Sequence, residues 1–248
     1  MKIFKSMMVA AALLTSALAS SAYAATVNLY TYHLTPPFVS GKGEGLTYDM
    51  ASYLTSKSAG KFEFVVKELP RKRLNEVIKS DQSGVVPWVS AAWFKDKEET
   101  TYLWTSGFFE DGNALLSPAS NKVEFDGDVA SLHGLKFGAV RGHHYKGIDE
   151  AVDAGKIKRQ DAQSIDANLK KLAAGRVDFS SAANSASRFL VAQMGLTDKV
   201  HFSSKPHTQY SRRFLVMKQL PEVQGFLSDV VNGMPQDAEW QSIVGKYR

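Results

Sequence analysis

Residues 27–89 read VNLYTYHLTPPFVSGKGEGLTYDMASYLTSKSAGKFEFVVKELPRKRLNEVIKSDQSGVVPWV. Three segments in this stretch have strand character. Val27–Tyr32 and Phe62–Val66 are rich in β-branched and aromatic side chains, and Val85–Val89 is apolar throughout. Between them lie two helical patterns: Leu46, Met50 and Leu54 recur at i, i+4 behind Thr47 as N-cap, and Leu74, Val77 and Ile78 make a stripe on a helix opened by Pro70. Pro36-Pro37 end the first strand. The glycine-rich turn at residues 41–45 follows this proline-broken loop and not a strand, so it is read as a flexible turn and not a phosphate cradle. The order β-α-β-α-β predicts a parallel sheet covered on both faces.

A second cycle follows. Leu135–Val140 is a strand, Tyr145–Gly155 a helix stopped by its glycine, and Ile157–Asp161 a short strand. Asp166 is placed to cap a helix over Ala167–Ala174 with Leu169 and Leu172 inward and Gly175 as its stop, and Val177–Ala182 is the next strand. Ser185–Met194 is helical, a strand returns near Phe214–Met217, and Val223–Asn232 and Ala238–Tyr247 are the last helices. Extended segments near residues 112–116 and 205–209, flanked by Gly112, Ser117-Pro118 and Pro206, read as two connections between α/β units. The expected division is residues 25–112 with 210–248 as lobe one and 113–209 as an inserted lobe two.

The first 24 residues carry Lys2 and Lys5, an apolar run over Met7–Leu18 and the small-x-small pattern Ala22-Tyr23-Ala24. They read as a cleavable signal peptide, with the mature chain expected to begin at Ala25 in the periplasm. Cleavage removes two lysines and no acid, which takes the net charge from +5 to +3. That mild balance, with dispersed basic residues and no binding motif, gives no reason to propose nucleic acid. With no cysteine, no HExxH helix and an adjacent His143-His144 pair that does not share a helical face, no metal or other cofactor is expected. About 224 residues are enough to build cores without disulfides.

Ordered motifs carry a resemblance. They are Pro36-Pro37-Phe38, Gly45-Leu46-Thr47-Tyr48-Asp49, Pro70-x-x-x-Leu74-x-x-x-Ile78, Trp104-Thr105-Ser106-Gly107-Phe108, Leu132-x-Gly134-Leu135-Lys136-Phe137-Gly138 with Val140-Arg141-Gly142, and Leu172-Ala173-Ala174-Gly175-Arg176-Val177-Asp178. In this order the chain resembles family 3 of the periplasmic solute-binding proteins, which includes the amino-acid-binding proteins of ABC transporters. The resemblance implies an α/β, type II periplasmic-binding-protein fold. Each of its two lobes is a mostly parallel sheet flanked by helices, two hinge strands join the lobes, and a small ligand sits between them. It also implies delivery to an inner-membrane ABC permease or a sensor. The sequence departs from the family at the clamp. Where an arginine would follow Ser90, residues 91–99 read AAWFKDKEE with Lys97 as the nearest cation, and the expected aspartate falls near Ala183 or Asn184. An α-amino acid held by the usual clamp is therefore not expected.

Ligands of open α/β sheets sit beyond the carboxyl ends of the strands. The candidate ligand residues there are Tyr32, Phe38, Trp88, Ser90, Trp93, Arg141, His143, Tyr145 and Asn184, with Arg73 replacing the missing clamp from the other side. Each has a plainer reading: Trp88 and Trp93 as core aromatics, Arg73 as part of a solvated basic turn, His143 as a surface histidine, and Asn184 as a helix cap. Arg141 and Arg73 together predict an anionic or zwitterionic solute. No heptad or long apolar stripe asks for a partner subunit, so a monomer is expected. Two other function classes share the fold: a dehydratase of cyclic acids, for which Glu44, Asp49, Glu110 and Asp111 are the nearest carboxylates, and a sensory module whose cleft is filled by its own side chains.

Overall fold

A computed structural model describes residues 24–80 and 82–247. The signal peptide expected at the N-terminus lies, except for Ala24, outside the described residues. The chain begins with β1 (Ala25–Thr31), α1 (Leu46–Lys57), β2 (Phe62–Glu68), α2 (Arg71–Val77) and β3 (Val85–Val89). Next come the short β4 (Leu103–Trp104), the ten-residue β5 (Phe109–Pro118), β6 (Lys136–Val140), α3 (Ile148–Asp153), β7 (Lys158–Ala162), α4 (Ile165–Ala173), β8 (Phe179–Ala183), α5 (Asn184–Gln193) and β9 (Val200–Phe202). The chain closes with β10 (Thr208–Val216), α6 (Pro221–Gly233) and α7 (Ala238–Gly245). No helix among the described residues is long and apolar enough to cross a membrane.

Within each half the sheet is mostly parallel, as expected, and antiparallel strands make the whole mixed. β1 pairs in parallel with β2 and β3, and β6 with β7 and β8. Antiparallel pairing enters through β10 and β5. β10 pairs with β5 over residues 208–212 and with β3 beyond, with a register shift between Arg213 and Leu215; β5 goes on to β8 and β9. The hydrogen-bonded path β2-β1-β3-β10-β5-β8-β6-β7 is thus unbroken. The apolar cores on either side of this crossing are nonetheless separate. Leu29, Met50, Leu54, Trp88, Phe214 and Trp240 pack on one face of the first half, with Tyr30, Leu74, Val86 and Leu215 on the other. In the second half Leu115, Phe137, Ile148 and Phe179 form one core, and Leu116, Leu169, Leu172 and Leu190 another. Strand periodicity does this sorting, since neighbours such as Leu115 and Leu116 point to opposite faces.

Where β5 and β10 cross, Gly112 is required by space. A Cβ there would lie 2.3 Å from the Thr208 carbonyl oxygen.

Local chemistry corrects several expected starts. Thr47 does not cap α1; Gly45 holds the cap position and the Thr47 side chain is buried instead against Trp88. α4 starts at Ile165 behind Ser164, so Asp166 stands in its first turn facing Lys170 at 3.8 Å. α3 starts at Ile148 because Gly147, at φ 77°, breaks the helical path from Tyr145.

Candidate functional site

The carboxyl ends of β1 and β3 open onto a nest of aromatic rings and two guanidinium groups. Arg71, at the start of α2, lies over Tyr32 (4.7 Å from its Cζ to the ring centre) and Phe94 (4.2 Å), and its Nη2 donates to the Trp93 carbonyl at 2.7 Å. Arg212, only 1% exposed, lies among Phe38 (4.7 Å), Tyr210 (5.3 Å) and Trp93 (5.7 Å). Trp93 meets Tyr210 edge-on at 4.9 Å. His33 packs between Tyr32 and Phe38, and its Nε2 is buried with no hydrogen-bond partner. Burial, and then the charges of Arg212 and Arg71, hold the His33 imidazole well below its usual pKa, so it is neutral. Burial likewise pushes the Tyr210 hydroxyl up to about 12.

Arg212 also joins the halves. Its Nε and Nη2 both donate to Asp111 Oδ2, at 2.9 and 2.8 Å, and its Nη1 donates to the Trp88 carbonyl at 2.7 Å. The same carboxylate accepts from the Ser185 hydroxyl (2.7 Å) and backbone N–H (3.2 Å) at the start of α5, and from Gly112 N–H (2.8 Å). Asp111 therefore sits where the α5 dipole favours an anion.

Two neighbouring cavities, of about 480 and 470 Å³, share Glu110, Asp111, Asn184 and Arg188. The second is walled by Pro37, Leu46, Trp240 and Tyr247 from the first half and by Asn184, Ser185 and Arg188 from α5. Arg188 is fixed at this boundary: its Nε donates to Asn184 Oδ1 at 3.0 Å and its Cζ lies 4.4 Å from the centre of the Phe202 ring.

The structure brings Tyr32, Phe38 and Trp93 together in the nest, with Ser90 half-buried beside them; Asn184 lines both cavities. Other candidates stand elsewhere. Trp88 is a core residue, fully buried, with its indole N–H donating to Thr47 Oγ1 at 3.0 Å. Tyr145 is also core, its hydroxyl accepting from the Val140 N–H at 2.8 Å. Arg73 faces solvent and pairs with Glu76 at 2.7 Å; its neighbour Arg71 holds the inward position. Arg141 and His143 lie exposed on the turn after β6 and line neither cavity. Sequence reading missed His33, Arg71, Arg188, Tyr210 and Arg212. Two of them carried a signal: Arg71 stands three residues before Leu74 on the helix's core stripe, and Arg212 alternates with Tyr210 and Phe214 along a strand.

No family model matches the sequence, and no curated protein is similar to it. Solved structures are. An ancestral arginine-binding protein bound to arginine is 19% identical, with a TM-score of 0.67 over 91% of this chain and 99% of that one. The chain has the type II periplasmic-binding-protein fold. The periplasmic domain of Bordetella pertussis BvgS is 17% identical with a TM-score of 0.70, over 90% of this chain and 42% of that chain. An ancestral amino-acid-binding protein described as a precursor of cyclohexadienyl dehydratase is 16% identical with a TM-score of 0.61, over 90% and 95% of the two chains.

Proposed function

We propose that this chain captures a small polar solute, anionic or zwitterionic, between its two halves and passes it unchanged to a membrane transporter or sensor. The observation that carries this reading is the cavity of about 470 Å³ whose walls come from both halves, α1 and α7 on one side and α5 on the other. That volume is in the range of small-molecule sites. A solute touching both walls contacts the closed form more than the open one, which is the differential interaction that makes closure follow binding. The neighbour solved with arginine supports solute capture by this fold. The two halves that move are residues 25–112 with 210–248, and residues 113–209. The signal-like N-terminus supports a periplasmic protein, acting as a monomer with a partner such as an ABC permease.

The test is a thermal-shift screen of the purified protein against metabolites. A ligand at one hundred times its Kd stabilises by about 2.7 kcal/mol, a shift such a screen detects. Absence of any shift across amino acids, organic acids, sugars and amines sinks the reading.

One observation favours a second reading, a sensory module that needs no solute. The strand-end nest is filled by the chain's own Trp93, Tyr210 and Arg212. Small-angle scattering that gives the same closed dimensions with and without every solute would support it. An enzyme reading gains little from the carboxylates: Asp111 is already engaged by Arg212, Ser185 and Gly112. A turnover assay on cyclic acids checks it.

A further inference from the structure

Two contacts made wholly by the chain's own groups cross between the halves, and both use one face of α5. Ser185 and Phe189 stand one turn apart on that helix, so their side chains share a face. The Ser185 hydroxyl and N–H donate to Asp111 of the first half at 2.7 and 3.2 Å. Farther along, the Phe189 ring centre lies 6.1 Å from that of Tyr247, whose hydroxyl donates to Asp49 Oδ2 on α1 at 3.2 Å.

Behind Asp111 stands Arg212, and its position is that of a ligand. The carboxyl ends of parallel strands are where an open α/β sheet takes its solute. The Arg212 guanidinium sits at the end of β3, donating to the Trp88 carbonyl at 2.7 Å. Phe38, Tyr210 and Trp93 surround it with ring centres 4.7, 5.3 and 5.7 Å from its Cζ, and Asp111 accepts from two of its nitrogens. Aromatic faces and a carboxylate are the partners that bind a free guanidinium group. Packing alone does not call for such a charge, because an apolar side chain of similar volume fills a buried site as well or better. A line of contacts thus leads from β3 through Arg212 and Asp111 to Ser185 on α5.

We propose that Arg212 is a built-in ligand, a guanidinium cation tethered to β10 that fills the strand-end site and, through Asp111 and Ser185, holds the halves closed, with Phe189 on Tyr247 as the outer catch. The resting state is then the closed one, and opening has to break the Asp111–Ser185 bonds and the Phe189–Tyr247 contact. The proposal goes beyond solute capture, and its failure leaves that reading untouched.

Chemical rescue tests the occupant. Arg212→Ala vacates the nest, and methylguanidinium at roughly fivefold excess over its Kd is expected to raise the melting temperature of this variant by about 2–4 °C while leaving the wild type unchanged. Methylammonium, with the same charge but no planar fork, is expected to raise neither. If Arg212→Ala folds only when methylguanidinium is present during refolding, the occupant role is upheld; if it folds in neither condition, that role falls. Small-angle scattering tests the latch. The double variant Ser185→Ala with Phe189→Ala, which leaves Arg212 intact, is expected to show a larger radius of gyration than the wild type, and folded Arg212→Ala is expected to contract when methylguanidinium is added. Wild-type dimensions in the double variant, or an equal response of Arg212→Ala to methylguanidinium and methylammonium, overturns the proposal.

Discussion

Arg212 on β10 grips Asp111 on β5 with two nitrogens on one oxygen, 2.9 and 2.8 Å away, and both side chains are almost wholly shut off from water. A buried pair of this kind is costly to break from one side, because the survivor keeps its charge without a partner. Arg212→Met is expected to destabilise the fold by roughly 3–5 kcal/mol, and the double variant Asp111→Leu with Arg212→Met by less. Urea unfolding of the three proteins checks this; a double variant weaker than Arg212→Met by a further full increment would refute the pairing account.

Trp88 is the second anchor. It has no exposed surface, holds a left-handed backbone at φ 66° and donates its indole N–H to Thr47. Thr47→Val keeps the shape and orphans that N–H, at an expected cost of about 1–3 kcal/mol. Trp88→Ala also removes the ring from between Phe38, Phe108 and Phe109 and is expected to cost about 3–5 kcal/mol. Equal losses in the two variants would show that the indole packing contributes nothing.

His33 sets a pH dependence. Its folded pKa is held well below 6.5 by burial and by Arg212 and Arg71, so the unfolded chain binds more protons whenever the pH is under about 6.5. Its contribution is complete above that pH and declines as the pH falls. His207 is lowered too, chiefly by burial, and acts in the same direction. Denaturant midpoints measured from pH 8 to pH 5 should fall, and His33→Phe should flatten most of the slope; an undiminished slope removes His33 from the account.

Asp96 organises the turn that leads into β4. Its carboxylate accepts from the N–H groups of Thr100, Thr101 and Tyr102 and from the Trp104 indole, at 2.9–3.1 Å. Burial alone would raise its pKa, but these donors outweigh it and lower the value from 3.8 to about 2. The stabilisation is present above pH 4 and is lost as the pH falls toward 2. Asp96→Ala leaves the buried Trp104 N–H unpaired and is expected to cost about 1–3 kcal/mol, seen as a lower melting temperature at pH 7 and a smaller difference at pH 2.

The alternating units were legible in the sequence because period-2 and period-3.6 patterns survive in one dimension: β1, α1, β2, α2 and β3 all fall within a few residues of their expected places. The antiparallel joining of β5 and β10 was not, since nothing local says which distant segment a strand will pair with. The site was harder still. Trp88 stands near the end of β3 and Tyr145 beyond β6, as ligand residues would, but each turns inward to satisfy one buried partner, Thr47 and the Val140 N–H. Arg73 drew attention through its charge, while helical phase gave the inward position to Arg71. Arg188 belongs to no motif and lines the two cavities only because α5 and β5 meet at one boundary.

Gly112 lets β5 and β10 approach closely, and five successive residue pairs, Thr208 with Asn113 through Arg212 with Phe109, bind them into one ribbon. Such a ribbon behaves as a torsion spring. It resists being lengthened, because the backbone is already extended, yet twist about its long axis is the soft mode of paired strands. If the halves move as proposed, rotation sweeps α5 past α1 and α7 while the spacing at the ribbon itself stays fixed. On the solute-capture proposal, admission then depends on an angle, and any side chain placed at Gly112, meeting the Thr208 carbonyl, would change the resting value of that angle before any solute arrived.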